Sequence, residues 1–391
     1  MSKIKDIEVF FLEYPFPKKL GYKYSGGLVE NMIVAIIKVT DSNDNYGIGE
    51  ITHGQFTHEP IIGLTKHFRD MLVGSDSHNI NQTWEKMYGS SVFWNREGIG
   101  IGVMGGINIA LYDLLGKNLK VPVYQLIGGL NKTKIRIYAS NGLFDNKDQL
   151  IEDARKAYNL GFRIYKMRVV EPSSIIELVH EFKKEFKDKM DLIVDAVQGS
   201  TSNPWATKVS INIAKKLEKY EVLFFEEPCR VENLDGYKEI KSNTNLNIAG
   251  AESIPTARAF KPYFENNVFD VVQFDIATSG FTEGRRIADM AYVYNKPVAI
   301  HSWGSAISIM AGIHFSLSIP NAAFTEYCFM DHPINRSLFE NETINISDGY
   351  VEPPKTYGLG IKFDENLTKE FPYKEKINTM ILTDKEDIGL K

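Results

Sequence analysis

With 391 residues and a hydrophobic fraction of 43% that includes 23 Phe and 19 Tyr, the chain exceeds one average domain and can bury a large core. A net charge of −5, without any Lys/Arg block, argues against a nucleic-acid surface, and no uninterrupted apolar run approaches the roughly 18 residues of a membrane span. Two distant cysteines, Cys229 and Cys328, give neither a disulfide framework nor a zinc spacing, and the opening segment reads as neither signal peptide nor anchor, so a reduced, cytoplasmic setting is expected.

In chain order, residues 1–40 hold two alternating strands, "IKDIEVFFLEYPF" and "ENMIVAIIKVTD", separated by the Gly/Tyr-rich loop "LGYKYSGGL". A third strand, "NYGIGEIT", follows the turn "DSNDN". Helical stretches then run to about residue 125, among them "GVMGGINIALYDLLGKNL", where Gly105, Gly106 and Ala110 permit close packing. This predicts an antiparallel α+β capping domain over 1–130. Trp94, in "VFWNREG", is expected in its core.

Between 134 and 330, eight strand-like runs alternate with amphipathic helical stretches. They are "KIRIYAS", "FRIYKMRV", "DLIVDA", "VLFFEE", "NIAGAES", "VVQFDIA", "PVAIHSW" and "AAFTEY". Their polar ends recur every 23 to 31 residues, as βα units of a parallel barrel require. An open doubly wound sheet is the rival, but it rarely needs eight regular units, and no G-x-G-x-x-G follows the first strand. The barrel is assigned to 131–335. The polar, irregular tail over 336–391 is expected to pack back on the cap.

In a parallel barrel the C-terminal strand ends share one face, where active sites are built. Here they read Lys166, Asp195, Glu226, Glu252, Asp275, His301 and Glu326. One strand-end carboxylate is more often a helix cap than a ligand, but seven ionisable ends on one rim would be destabilising without a bound ion and mutual pairing. Asp195, Glu226 and Glu252 come from consecutive strands, and three hard oxygen donors suit Mg²⁺. Strand alternation puts Lys166 and Arg168 on one face and sends Glu226 and Glu227 opposite ways, so only one of that pair looks into the mouth. Asp275 and His301 end adjacent strands, where an acid accepting from one imidazole nitrogen leaves the other for proton transfer.

These residues resemble the enolase superfamily, and within it the mandelate racemase-like subgroup, over nearly the whole chain. "DAVQ", "FFEEP" and "AGAES" match its three metal-ligand stretches at Asp195, Glu226 and Glu252, leaving Glu227 as a supporting acid at the rim. "QFD", "AIHSW" and "FTEY" look like its Asp275–His301 dyad and its last-strand Glu326, which meets the substrate carboxylate. The resemblance implies a modified TIM barrel, (β/α)₇β, with an N-terminal cap, a Mg²⁺ cofactor and a homo-oligomer, dimer or octamer. Two departures stand out. The subgroup's Lys-x-Lys is Lys166-Met167-Arg168 here, and Arg is no base; and Val197 stands where relatives often carry Asn or His. Either Lys166 takes the base role or His301 is the only efficient base.

The implied chemistry is removal of a proton α to a carboxylate, giving an enediolate. Its expected outcome is dehydration of a sugar acid, with racemisation, epimerisation or cycloisomerisation as the alternative. A non-catalytic binding barrel is a rival from another class. Substrate contacts are expected from the cap loops: Tyr22, Tyr24 and Gly27, and His53 and Gln55. No nucleic-acid or membrane partner is expected.

Overall fold

The eight strand-like runs form eight parallel strands in the computed structural model: Ile135–Leu143, Ile164–Arg168, Asp191–Asp195, Phe225–Glu226, Ile248–Gly250, Val271–Val272, Val298–Ile300 and Ala322–Cys328. Each pairs with the next, and the eighth returns to the first with Glu326 opposite Tyr138, which closes the barrel. The structure describes residues 2–374 except 17–21, 25–26, 145, 170, 202, 331 and 340–343, and only the backbone of 22–24, 27–29 and 142–143. Seven helices of 9 to 18 residues follow the first seven strands, from Lys147–Asn159 to Ala306–Ser318, and only the short six-residue helix Pro333–Leu338 follows the eighth. The architecture is thus (β/α)₇β.

The amphipathic barrel helices bury one stripe, whereas Ala306–Ser318 is buried all round. In Ile175–Phe186 the buried residues are Ile175, Leu178, Val179, Phe182 and Phe186, spaced three or four apart so that they share one face. Inside the barrel, alternation yields a separate apolar cluster with one residue in, or immediately before, each of the first seven strands: Tyr138, Ile164, Ile193, Phe224, Ala249, Val271 and Ala299. Phe324 of the eighth strand packs against it.

The cap is a three-stranded antiparallel sheet, Ile4–Pro15, Asn31–Asp41 and Tyr46–Glu50, covered by helices Glu59–Leu72, Ile80–Ser91 and Ile99–Leu119. Ile99–Leu119 is long and apolar enough to cross a membrane, but it is the largely buried central helix of the cap. Its glycines set how closely it packs. A Cβ on Gly49 would lie 2.0 Å from the Gly106 carbonyl oxygen, and one on Gly105 would lie 2.3 Å from the carbonyl oxygens of Ala277 and Thr278. The first contact joins helix to sheet; the second joins cap to barrel. Trp94 is not in the core. It is 54% exposed, with its ring edge-on to His67, because its loop swings outward before the helix that begins at Ile99.

Two polar ties strengthen the cap–barrel junction. Asn108 exchanges hydrogen bonds with Thr282, through Nδ2 to the hydroxyl and from the backbone N–H to Oδ1. Glu50 accepts from the backbone N–H and hydroxyl groups of both Ser305 and Ser308, capping the barrel helix Ala306–Ser318. The tail lies on the cap: the Glu13 N–H donates to the Phe371 carbonyl, the Tyr46 hydroxyl donates to the Phe363 carbonyl, and Lys38 pairs with Glu365.

Candidate active site

Two residues beyond the apolar layer, the same inward face becomes polar: Ser140, Lys166, Asp195, Glu226, Gln273, His301 and Glu326. Strand register aligns the groups further. Arg168 is paired with Asp195 across the second and third strands, and Asp195 with Glu226 across the third and fourth.

Lys166 is fully buried, with Nζ 2.6 Å from Glu226 Oε1, 2.9 Å from Glu326 Oε1 and 3.6 Å from Asp195 Oδ2. Burial disfavours its charge, but Glu226 and Glu326 outweigh this and raise its pKa, so it is a locked ammonium ion. Arg168 shares these partners: Nε lies 3.3 Å from Asp195 Oδ2, a second guanidinium nitrogen lies 3.5 Å from Glu326 Oε1, and a third donates to the Asn141 carbonyl. Burial works against the Glu326 carboxylate, yet Lys166, His301 and Arg168 hold it well below the usual carboxylate range.

His301 Nδ1 lies 2.7 Å from Asp275 Oδ2, while Nε2 lies 3.1 Å from Glu252 Oε2 and 3.5 Å from Glu326 Oε2. Burial opposes a charged ring here too, but Glu252, Glu326 and the hydrogen bond that Nδ1 donates to Asp275 raise its pKa to about 10; a cation held by Glu252 would offset the largest of these charges and favour the neutral, proton-accepting ring. The backbone also joins the dyad, through a parallel bridge between Asp275 and His301.

Among the described residues no three acids, histidines or cysteines meet as a preformed metal cluster, and the Lys166 ammonium stands between Asp195, Glu226 and Glu326. The donor set nonetheless fits a hard divalent cation. Burial and the adjacent Asp195 charge push Glu226 up to about 8, and the carboxylates crowd beyond what Lys166 and Arg168 neutralise. Glu227 adds to this crowding, contrary to strict alternation. The fourth strand ends at Glu226, Glu227 has a left-handed φ of 42°, and its carboxylate turns back into the interior against Gly199. Burial, then Glu252 and Asp195, raise its pKa, and its Oε1 has no partner among the described residues.

A cavity of about 680 Å³ opens above this layer, between cap and barrel. Arg168, Asp195, Glu252, Asp275 and His301 line it from the barrel, and Thr52, His53 and Phe56 line it from the cap. The His53 ring is half-buried with Nδ1 against Gly102; burial lowers its pKa, partly offset by Asp275. Gln55 also borders the cavity, but its amide is engaged in holding the backbone of Asn31 and Ile33. The side chain of Tyr24, and those of Tyr22 and Gly27, lie outside the described residues. Val197 borders the cavity as an apolar side chain, so the third-strand end offers no proton donor there.

Two participants escape sequence reasoning. Gln273, in "VVQFDIA", donates from Nε2 to Glu226 Oε2 at 2.9 Å; its inward register, two residues before Asp275, is the signal that could have found it. Glu50 has no comparable local signal, because its partners are 255 and 258 residues away.

Residues 6–128 match the family model described as mandelate racemase / muconate lactonizing enzyme, N-terminal domain, and residues 149–367 match enolase C-terminal domain-like. The chain is 32% identical over 317 residues to a D-galactonate dehydratase of Ralstonia pickettii, covering 77% of this chain and 81% of that one. It is 27% identical over 355 residues to an arabinonate dehydratase of Saccharolobus solfataricus, covering 89% and 93%. The crystal structure of the 3,6-anhydro-D-galactonate cycloisomerase from Zobellia galactanivorans matches with a TM-score of 0.84 at 28% identity, over 95% of this chain and 100% of that one. The chain belongs to the mandelate racemase / muconate lactonizing enzyme family of the enolase superfamily, and is an enzyme of that superfamily.

Proposed function

We propose that the protein is a Mg²⁺-dependent sugar-acid dehydratase in which His301 is the base. The observation that carries this reading is the dyad: Nδ1 of His301 is held 2.7 Å from Asp275, and Nε2 points to the cavity side beside Glu252. Asp195, Glu226 and Glu252 would hold Mg²⁺, which when bound supplies positive charge against the negative charge that develops on the substrate carboxylate. Arg168 orients that carboxylate from the cavity wall, and Lys166 and Glu326 hold the charge pattern beneath it.

His301 Nε2 takes the proton from the carbon α to the carboxylate, leaving an enediolate. The enediolate expels the β-hydroxyl, and the His301 imidazolium returns its proton to the departing oxygen, releasing water. The resulting enol becomes a 2-keto-3-deoxy acid. With Val197 offering no donor and Lys166 locked between Glu226 and Glu326, one group performs both transfers. The same facts disfavour a two-base racemase or epimerase, since Arg168 cannot act as the second base.

Arg168 is the one Lys or Arg side chain lining the cavity among the described residues, while Glu97 and Glu232 border it with Tyr263. This favours a substrate with a single carboxylate and a hydroxylated tail. A second reading, cycloisomerisation, is favoured by the likeness to the cycloisomerase: when the β-oxygen belongs to a ring ether, the same expulsion opens the ring and releases no water. In this reading residues 1–130 close the mouth, 131–335 carry the chemistry and 336–391 clasp the cap. His53 and Tyr24 contact the substrate, and the enzyme works in the cytoplasm as a dimer or octamer.

The test is turnover of mono- and diacid sugars with Mg²⁺, in deuterated water. The expected result is a keto acid from a monoacid, lost on chelation and restored by Mg²⁺. Absence of α-proton exchange with every sugar acid tried would sink the enolisation reading.

A further inference from the structure

We infer that Thr52, a cap residue, is a positioning residue for the catalytic dyad, so that the cap helps to build the base as well as to cover the substrate. The inference rests on the proposed role of His301 as base. It starts from how the Asp275 carboxylate is shared. Its Oδ1 accepts from the Thr278 backbone N–H at 2.6 Å and from the Thr52 hydroxyl at 3.2 Å, while Oδ2 is left to His301 Nδ1 at 2.7 Å.

A carboxylate rotates freely about its last bond unless both oxygens are held. The Thr278 N–H belongs to the first turn of the helix that Asp275 caps, so that bond restrains Oδ1 from the barrel side alone. Thr52 approaches from the other domain and fixes the plane from the second side. With Oδ1 occupied twice, Oδ2 alone remains for the imidazole, which fixes Nδ1 as the donor to Asp275 and leaves proton transfer to Nε2, on the cavity side beside Glu252.

The segment that carries Thr52 is itself held against the barrel. Two residues earlier, Glu50 grips Ser305 and Ser308, just beyond the loop that leads from His301. Cap residues therefore hold both partners of the dyad: Thr52 directly at Asp275, and Glu50 through the helix after His301. The cap stays anchored by Glu50, by the Gly105–Ala277 contact and by Asn108–Thr282, so an isosteric Thr52→Val change removes the hydroxyl without removing the cap.

The test compares wild type, Thr52→Val and Thr52→Ser, all Mg²⁺-loaded, on the sugar acid that wild type converts. Thr52→Val is expected to lower kcat about tenfold with KM within about twofold, and Thr52→Ser to restore most of the loss. The low-field proton resonance of His301 Nδ1–H, assigned by its disappearance in His301→Asn, is expected to shift or broaden in Thr52→Val and return in Thr52→Ser. Unchanged kcat and an unchanged resonance in Thr52→Val would overturn the inference. A raised KM with kcat and resonance intact would also overturn it, by making Thr52 a substrate contact. If wild type converts no sugar acid, the functional reading fails, and the resonance still decides whether Thr52 positions Asp275.

Discussion

The layer of Tyr138, Ile164, Ile193, Phe224, Ala249, Val271 and Ala299 and the layer two residues further along the same strands both face the barrel interior. They share backbone, register and orientation, yet one is apolar and the other holds Lys166, Asp195, Glu226, Gln273, His301 and Glu326. In the first, burial itself stabilises, by roughly 1.5–3 kcal/mol for a large side chain. In the second, burial opposes every charge, and the layer persists only because Lys166 and Arg168 stand among the carboxylates. A barrel thus separates stability from chemistry by one step of strand alternation. The division predicts that changes in the lower layer cost folding, changes in the upper layer cost turnover, and Lys166 costs both.

The largest effect is expected at His301. His301→Asn should lower turnover by about 10³-fold or more, because the proposed mechanism routes both proton transfers through this ring, with urea unfolding little changed. α-Deuterium exchange followed by proton NMR checks this, and near-normal exchange would remove the dyad from the mechanism. Lys166→Met should destabilise the fold by about 3–5 kcal/mol, since Glu226 and Glu326 lose a shared buried cation, and should abolish turnover as well. An unchanged urea midpoint would show that the carboxylates find another counter-charge. Phe224→Ala, one layer below, should cost about 3 kcal/mol through the cavity it leaves, while the folded enzyme keeps its KM. A large change in KM with normal stability would contradict the separation of layers.

The smallest effect concerns a buried group outside both layers. His314 accepts from the Tyr124 N–H at Nδ1 and donates from Nε2 to the Leu359 carbonyl, and burial lowers its pKa to about 4. The unfolded ring takes up a proton near pH 6.5, whereas the folded ring resists until about pH 4, so this stability is complete above pH 6.5 and lost as pH falls through that window. At pH 5.5 the loss is about 1 kcal/mol. Thermal unfolding of wild type and His314→Asn between pH 7 and 5 measures it: the variant should show a shallower decline.

Much of this was legible in the order of residues. The "EEP" and "AGAES" stretches locate Glu226 and Glu252, and the "QFD" and "AIHSW" stretches locate the dyad, because each acid or base sits at a strand end and strand ends converge. Other features were not legible, for identifiable reasons. Alternation predicts that Glu227 points away, but the left-handed turn at that residue brings its carboxylate back to the cluster. Trp94 has the composition of a core residue and the position of a loop residue.

The sequence by itself determined the repeat of strand and helix, the closed barrel it implies, and the ionisable rim, since these follow from periodicities of two and of about 25 residues that are local to the chain. Tertiary structure alone decided which charges meet. It placed Lys166 between Glu226 and Glu326 as a buried counterion, set His301 between Asp275 and Glu252, and carried Glu50 and Thr52 across more than 200 residues to the helix and the carboxylate they hold. Those pairings depend on distances between groups far apart in sequence, and electrostatic and hydrogen-bond energies are set by distance in space.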